Sequence, residues 1–280
     1  MSTLYLVATP IGNLEDISAR ALRVLSEVRL IAAEDTRHTG KLLKHFGIRN
    51  RLISYYEHNK FQQLDSILDA LNEGDVAVVS DAGTPGLNDP GYRLVQAALA
   101  GGHEVSPIPG PSAPIAALVA SGLPTDRFLY LGYLPRKSGE RQRMVETVRQ
   151  LPYTLIFLES PHRVLSALED LLAVLGDRDI AVGREITKLY EEFFRGTLSE
   201  AVDFFQQAPA RGEITLVVAG APPNTNRWSP AQVQDALQAG LARGEPPSQL
   251  AKQVASQAGW PRREVYNLIT RLQKEDPSQH

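Results

Sequence analysis

The chain has 280 residues, of which 43% are hydrophobic and 22% are charged, and it contains no cysteine. This length predicts two domains with a small appendage, and the ordinary composition disfavours disorder, collagen-like repeats and a coiled-coil rod. The lack of cysteine excludes disulfides, thiolate-bound zinc, iron–sulfur clusters and a cysteine nucleophile. The net charge of -3 gives no overall attraction to nucleic acid or to an anionic membrane, so a polyanionic partner would need a local basic patch.

The first half of the chain alternates short apolar strands with helices. Residues 3–8 predict a strand buried on both faces, and residues 17–28 predict a helix because their apolar residues recur at helical spacing. Further strands are predicted at 30–33, 75–80 and 104–108, and further helices at 62–71, 94–100 and 113–120. This alternation predicts an α/β domain over residues 1–121, ending before the helix breakers at 122–126.

Residues 122–222 predict a second α/β domain. Its strands are expected at 128–132, 153–158, 179–183, 189–194 and 213–219, and its helices at 138–150, 164–175 and 198–207. The strands at 179–183 and 189–194 follow one another without a helix between them, which favours antiparallel pairing.

Residues 228–280 predict a small helical domain after a proline- and asparagine-rich linker at 221–227. Helices are expected at 230–242, 249–258 and 262–273, and the small residues Ala251, Ala255 and Gly259 precede a tight turn, as in a helix-turn-helix. From Arg227 onward seven Lys and Arg oppose five Asp and Glu, which leaves the excess of acidic residues in the rest of the chain. This basic segment favours a nucleic-acid partner, with Arg262 and Arg263 as candidate RNA contacts.

Three loops at strand ends are rich in small residues. They are TPIGN at 9–13, SDAGTPGLNDPG at 80–91 and PIPGPSA at 107–113, and none contains a P-loop or a dinucleotide-binding glycine motif. Open α/β sheets bind ligands beyond the carboxyl ends of their strands, so we expect the loops to share one site. The alternatives are an ordinary turn for the first loop and, for Ser112 alone, a helix cap, which is the favoured interpretation of that residue.

Several motifs resemble a known class of enzymes. The segments TPIGNL at 9–14, AEDTR at 33–37, SDAGTP at 80–85, NDPG at 88–91 and PGPSA at 109–113 resemble the tetrapyrrole-methylase-like methyltransferases. The segments YLP at 133–135, ESPHR at 159–163 and REITK at 184–188 resemble one branch, the ribosomal small-subunit methyltransferases I, which methylate a cytidine 2′-hydroxyl of small-subunit ribosomal RNA. The likeness runs from about residue 4 to residue 219, in order.

The resemblance implies two α/β domains with S-adenosylmethionine in the cleft between them, usually in a homodimer, and a C-terminal helical domain. It places the cofactor contacts at loop and strand-end positions, which are Pro10, Gly12, Asp81, Gly83, Thr84, Ser112, Ala113, Leu134, Ser160, Ala181, Gly212, Glu213 and Ile214. Small residues there permit close approach, whereas the hydroxyls and the Asp81 carboxylate offer hydrogen bonds. A turn or cap carboxylate is the structural alternative for Asp81.

Methyl transfer from a sulfonium requires mainly alignment, exclusion of water and removal of one proton, and it needs no metal. The candidates for assisting proton removal are Glu34, Asp35, Glu185 and Lys188, which all lie in motifs at predicted strand ends. Arg37, Arg163 and Arg184 could grip RNA phosphates bidentately. The structural alternative is that these arginines form ion pairs with Glu34 or Asp35, with Glu159 and with Glu185, respectively.

Two other functions remain open from the sequence: carbon methylation of a tetrapyrrole precursor, and a non-enzymatic RNA-binding assembly factor. The AEDTR motif and the helical tail argue against the first of these, since that chemistry explains neither. The substrate would be ribosomal RNA or an assembled small subunit. With no signal peptide and no long apolar run in the sequence, we expect a cytoplasmic protein without membrane association.

Overall fold

The computed structural model describes residues 2–56, 60–87, 91–207, 211–222 and 228–275, with the side chains of all but 60–62 and 274–275. The NDP part of the second loop motif, at 88–90, and linker residues 223–227 lie outside the described residues. The chain divides into two compact units, Met1–Gly220 and Ala221–His280. We describe each unit by itself.

The N-terminal half of the first unit is a parallel five-stranded sheet. Its strands are β1 (Thr3–Val7), β2 (Leu30–Ala33), β3 (Leu52–Ser54), β4 (Val76–Val79) and β5 (Glu104–Ile108), in the order β3-β2-β4-β1-β5. The helices are α1 (Ala19–Glu27), α2 (Thr36–His45), α3 (Lys60–Glu73), α4 (Gly91–Ala100) and α5 (Ala113–Ser121). Ile31 and Ala33 pack into one core cluster and Leu30 and Ala32 into another, because successive strand side chains point to opposite faces.

The second half is a mixed five-stranded sheet. Its strands are β6 (Phe128–Tyr133), β7 (Thr154–Glu159), β8 (Asp179–Arg184), β9 (Glu192–Thr197) and β10 (Ile214–Val218), in the order β6-β7-β10-β8-β9. The β6 and β7 strands are parallel, whereas β10 is antiparallel to both of its neighbours. As predicted, β8 and β9 pair antiparallel. The helices are α6 (Ser138–Glu146), α7 (Val164–Leu175) and α8 (Leu198–Gln207).

Helix α5 connects the two sheets. It follows the last strand of the first sheet, but its Ala117 and Leu118 pack against Ile156, Ala181 and Val217 of the second sheet. The loop after β1 contributes Ile11 to the same core. The two sheets therefore share a core, and the boundary placed at residue 121 stays a prediction.

Three elements differ from the sequence predictions. Helix α2 and strand β3 were not predicted, and the strand expected at 189–194 lies instead at Glu192–Thr197. Leu189 and Tyr190 resemble strand residues in type, but they are 88% and 73% exposed in the connection before β9. The strand therefore begins three residues later than the apolar pattern predicts.

The second unit contains three helices with their own core. They are α9 (Pro230–Ala242), α10 (Pro247–Ala258) and α11 (Arg262–Glu275). A capping box between Ser229 and Gln232 begins α9, and Gly259 ends α10 in the left-handed conformation. Ala251 and Ala255 are buried in the shared core, which agrees with the close helix packing predicted from the small residues.

None of the helices in the described ranges has the length and apolar character needed to cross a membrane.

Candidate functional site

The loops after β1 and β4 are hydrogen-bonded to each other. The Thr9 N–H donates to the Gly83 carbonyl at 2.9 Å, and the Gly83 N–H donates to the Thr9 carbonyl at 3.0 Å. The buried Thr9 hydroxyl donates to the Ser80 carbonyl at 3.2 Å. Gly83 has a φ of 81°, a conformation that glycine adopts without steric cost. The two loops therefore form one continuous edge.

The loop after β5 joins this edge. The Thr84 hydroxyl donates to the Pro111 carbonyl at 3.2 Å. A side chain at Gly110 would place its Cβ 2.9 Å from the Ala8 Cβ, so glycine permits the close approach of these loops. Ser112 occupies the N-cap position of α5, yet its side chain makes no cap hydrogen bond. Ser112 is therefore at the predicted cap position, but its hydroxyl does not make the hydrogen bond that a cap would make.

The loop after β2 is tied to the same edge through carboxylates. The Asp35 N–H donates to Asp81 Oδ1 at 3.0 Å, and the Asp81 N–H donates to Glu34 Oε2 at 3.1 Å. The Asp35 side chain caps α2, accepting from the Arg37 N–H at 2.8 Å, and pairs with the Arg37 guanidinium at 2.7 Å. These bonds to Arg37 hold the pKa of Asp35 well below its usual range. The ion pair, the structural alternative for Asp35, is therefore present.

A cleft, here called the main cleft, opens between these loops and the second sheet. It has about 630 Å³ of atom-free space including its open mouth. Its walls are Ile11, Ala82, Gly83, Thr84, Leu87, Ser112, Ala113 and Pro114 on one side and Tyr130, Tyr133, Leu158, Glu159, Glu213, Ile214 and Thr215 on the other. It brings together six of the predicted cofactor residues, Gly83, Thr84, Ser112, Ala113, Glu213 and Ile214.

Pro10 and Asp81 line a second cleft, here called the α2 cleft. It is bounded by Thr9, Pro10, Leu14, His38, Lys41, Leu42 and Asp81. His38 and Lys41 were missed from the sequence because α2 was not predicted. Once α2 is known, their spacing of three residues places them on one face of the helix.

The remaining predicted cofactor residues lie outside the lining of both clefts. Leu134 and Ala181 are buried in the core, and the Leu134 carbonyl accepts from Arg163 at 3.4 Å. The Ser160 hydroxyl also accepts from Arg163, at 3.2 Å. Gly12 and Gly212 pack against the segment from Glu185 to Lys188.

Glu159, at the end of β7, is a completely buried carboxylate in the wall of the main cleft. Its Oε1 accepts from the Ser160 N–H at 2.7 Å and pairs with Arg163 Nη2 at 2.5 Å. Its Oε2 has no hydrogen-bond partner among the described residues. The ion pair suggested by the ESPHR motif is present, but it satisfies only one of the two carboxylate oxygens.

Lys188 lies between two carboxylates, of which Glu213 lines the main cleft. Its Nζ is 2.9 Å from Glu185 Oε1 and 3.3 Å from Glu213 Oε2. Burial alone would lower the Lys188 pKa, but the hydrogen bond to Glu185 and the charge of Glu213 outweigh it and raise the pKa above its ordinary value. The hydrogen bond from Lys188 lowers the pKa of Glu185 against the opposing effect of burial. Lys188 is therefore an ammonium and Glu185 a carboxylate at neutral pH.

The backbone around this ion pair is unusual. Glu185 and Thr187 have φ values of 49° and 67°, which non-glycine residues rarely adopt. A Cβ at Gly12 would overlap Lys188 Cγ, and one at Gly212 would overlap the Glu185 carboxylate. The absence of side chains at the two glycines therefore leaves room for the strained segment at 185–188. Such strain is found preferentially at functional sites.

The candidate RNA-binding arginines differ in their surroundings. Arg184 pairs with Glu192 at 2.7 Å and not with Glu185, the alternative suggested by the sequence. Arg37 has 87% of its side chain exposed. In the second unit Arg262 donates to the Ser248 hydroxyl at 3.1 Å, whereas Arg263 is exposed at the start of α11.

No group of three or more His, Cys, Asp and Glu in the described part of the chain is arranged to hold a metal ion.

Comparison with known proteins gives consistent matches. The family described as Tetrapyrrole (Corrin/Porphyrin) Methylases matches residues 3–202. Ribosomal RNA small subunit methyltransferase I of Halalkalibacterium halodurans is 48% identical over 271 residues, 95% of this chain and 94% of that protein. Its counterpart in Synechocystis sp. is 47% identical over 278 residues, 98% of this chain and 100% of that protein.

Among solved structures, uroporphyrin-III C-methyltransferase from Thermus thermophilus, complexed with S-adenosyl homocysteine, is similar in fold. Its TM-score is 0.56 at 19% identity, covering 78% of this chain and 97% of that chain. At this level of identity the likeness concerns the fold alone.

Proposed function

From the premise that this chain belongs to the tetrapyrrole methylase family, and within it to the ribosomal RNA small subunit methyltransferase I family, we propose that it transfers a methyl group from S-adenosylmethionine to RNA of the small ribosomal subunit. The observation that supports this proposal most strongly is the similarity to the two relatives, which are 48% and 47% identical over 95% and 98% of the chain. The match therefore continues past residue 202, where the general family match ends, into the helical unit. This extent favours RNA over a tetrapyrrole as the substrate.

The main cleft fits an adenosyl ligand. One wall is made of Ala82, Gly83 and Ala113, whose small side chains permit close approach, and Ser112 and Thr84 add hydroxyl groups. Apolar and aromatic groups on the opposite wall suit a planar base. When bound, S-adenosylmethionine supplies a methyl group already activated by a sulfonium. The chain then has to orient the acceptor oxygen, exclude water and accommodate one proton.

Lys188 is the group best suited to assist at the acceptor oxygen. It is held by Glu185 and by Glu213, which lines the cleft, so its ammonium lies one contact behind the cleft wall. Since its pKa is raised, it acts as a cation that stabilises the oxygen as the proton leaves, and not as a neutral amine base. Glu34 and Asp35 are tied to the neighbouring loop and to α2, which supports a positioning role for them.

We propose that the face of α2 contacts RNA and that the C-terminal unit offers a separate RNA contact. Arg37, His38 and Lys41 give the start of α2 a basic surface beside the α2 cleft. Basic side chains of this kind contact phosphates and fix the register of the strand without reading its sequence. Arg263 and Arg262 provide a second basic surface.

The finer parts of the proposal are a cytidine 2′-hydroxyl as the acceptor, an assembled small subunit or its RNA as the substrate, a homodimer and a cytoplasmic location. The test is incubation of the purified protein with methyl-labelled S-adenosylmethionine and each of three substrates: intact small subunits, deproteinised small-subunit RNA and a porphyrinogen. We expect label in RNA, recovered as 2′-O-methylcytidine after nuclease digestion. Label in the porphyrinogen alone, or in none of the three, would overturn the proposal.

A further inference from the structure

Two buried carboxylates of the second sheet region differ in how completely they are bonded. Asp170 accepts from the Ser138 hydroxyl at 2.9 Å and from the Gln142 amide at 2.6 Å on Oδ1, and from Arg141 Nε at 2.6 Å on Oδ2. Glu159 uses only Oε1, and its Oε2 is buried without a partner among the described residues. Buried polar groups are normally hydrogen-bonded, so such an exception calls for an explanation.

The position of Glu159 supplies the explanation. Its side chain is 0% exposed, and the residue is part of the wall of the main cleft, beside Leu158 and opposite the Ser112 loop. Arg163 and Ser160 hold Oε1, so the carboxylate is fixed from behind. The unbonded oxygen thus lies beneath the cleft surface, where it is shielded from water and where a hydrogen bond is stronger than in solvent.

We infer that Glu159 contacts the ligand of the main cleft: Oε2 accepts a hydrogen bond from an N–H or O–H group of that ligand. The identity of the ligand as an S-adenosyl compound rests on the proposed function. Such a compound carries four donor groups, the adenine amino group, the two ribose hydroxyls and the α-ammonium. The ion pair with Arg163 balances the charge of Glu159, so that any of these donors is accepted.

Calorimetric titration of the full-length protein with S-adenosylhomocysteine tests the inference. In Glu159→Gln, the amide orientation that keeps Oε1 with Arg163 and Ser160 turns the NH₂ group toward the donor of the ligand. We expect the Kd to rise about 10- to 100-fold, the range for a hydrogen bond to a charged group. Glu159→Asp, which keeps the charge but withdraws the oxygen, should weaken binding in the same direction and serves if the glutamine variant does not fold.

Asp170→Asn is the matched control, since it makes the same change at a buried carboxylate with both oxygens bonded and outside the main cleft. It should lower the unfolding temperature and leave the Kd within about twofold of wild type. An unchanged Kd in both Glu159 variants would overturn the inference. Failure of the wild-type protein to bind S-adenosylhomocysteine would instead overturn the proposed function.

Ligands that lack one donor separate a direct contact from a structural effect. The probes are the 2′-deoxy, 3′-deoxy and N6,N6-dimethyl forms of S-adenosylhomocysteine, and 5′-methylthioadenosine, which lacks the α-ammonium. One of the four probes should bind the wild-type protein and the Glu159 variant with equal Kd, because that probe lacks the donor group that bonds to Glu159 Oε2. If the Glu159 substitution raises the Kd of all four probes by the same factor as that of S-adenosylhomocysteine itself, Glu159 acts only through the fold and the inference fails.

Discussion

The Lys188 ammonium donates a 2.9 Å hydrogen bond to Glu185 Oε1, across a turn in which Glu185 itself has a φ of 49°. Glu185 thereby fixes the Lys188 ammonium next to the Glu213 carboxylate of the main cleft. A fixed charge needs no reorganisation when charge develops on a reacting oxygen, so the pair is suited to electrostatic assistance.

Lys188→Met should lower kcat by at least about 100-fold, because it removes the cation proposed to stabilise the acceptor oxygen. The affinity for S-adenosylhomocysteine should change by less than about threefold, which calorimetry measures. Lys137→Met is the matched control, since Lys137 is 82% exposed and pairs only weakly with Glu140 at 3.4 Å. A Lys188→Met enzyme with the wild-type kcat would contradict this role.

The pH dependence should distinguish an ammonium from an amine base. The raised pKa of Lys188 means that its stabilising effect is complete below its ordinary value of 10.5 and is lost as the pH rises through the folded-state pKa. The lowered pKa of Glu185 means that its effect is present above 4.5 and is lost as the pH falls through the folded-state pKa.

The ratio of the wild-type rate to the Lys188→Met rate should therefore stay constant between about pH 6 and pH 9. Single-turnover rates measured across that range test it. A ratio that climbs about tenfold per pH unit would show that deprotonated Lys188 is the reactive form.

Gly12→Ala should disturb the same ion pair from the opposite side. Its Cβ would overlap Lys188 Cγ and would lie 2.9 Å from Thr187 Oγ1. We expect a loss of about 1–3 kcal/mol in the free energy of unfolding, typical of overpacking, together with reduced activity. Denaturant unfolding measures the first effect.

Gly139→Ala provides the comparison, because the nearest atom to its Cβ, Arg143 Nη2, is 4.0 Å away and the site is helical. It should leave stability unchanged or raise it by up to about 1 kcal/mol. Equal behaviour of the two alanine variants would mean that the close approach at Gly12 is not required.

Asp81→Ala should weaken cofactor binding by at least about tenfold, because Asp81 holds the Asp35 N–H and thereby the loop that forms one wall of the main cleft. Asp177→Ala removes a carboxylate bonded to Ser199 outside both clefts and should leave the affinity unchanged. Titration with S-adenosylhomocysteine measures both. Wild-type affinity in Asp81→Ala would show that this loop does not position the ligand.

Arg263→Gln should weaken binding to small-subunit RNA and reduce the salt dependence of binding by about one unit in the log–log slope, as expected for one lost phosphate contact. The affinity for S-adenosylhomocysteine should not change. Arg243→Gln is the control, because Arg243 pairs with Glu245 at 2.8 Å within the same unit. An unchanged salt slope for Arg263→Gln would remove it from the RNA-binding surface.

Much of the fold could be predicted because burial on both faces produces apolar strands that are visible in the sequence, as in β2 and β4. Helix α2 was missed because it contains Gly40, Thr36 and Thr39, which have low helix propensity. The three residues of β3 are too few to show a period.

The site was predictable where backbone geometry dictates residue type. The small residues of the loops at Thr9, Gly83 and Ser112 indicated that the three loops meet. The ion pairs were not predictable, because the register of β8 and β9 places Arg184 beside Glu192, which is not its neighbour in the sequence. The unpaired oxygen of Glu159 likewise depends on tertiary packing, although the family resemblance drawn from the motifs is confirmed.

Deletion of the gene for this chain, followed by mass spectrometry of small-subunit ribosomal RNA, tests the central claim most directly. Loss of one 2′-O-methylcytidine, restored by the wild-type gene and not by Lys188→Met, is the predicted result. An RNA whose methylation is unchanged by the deletion would contradict the assignment of this protein as a small-subunit RNA methyltransferase.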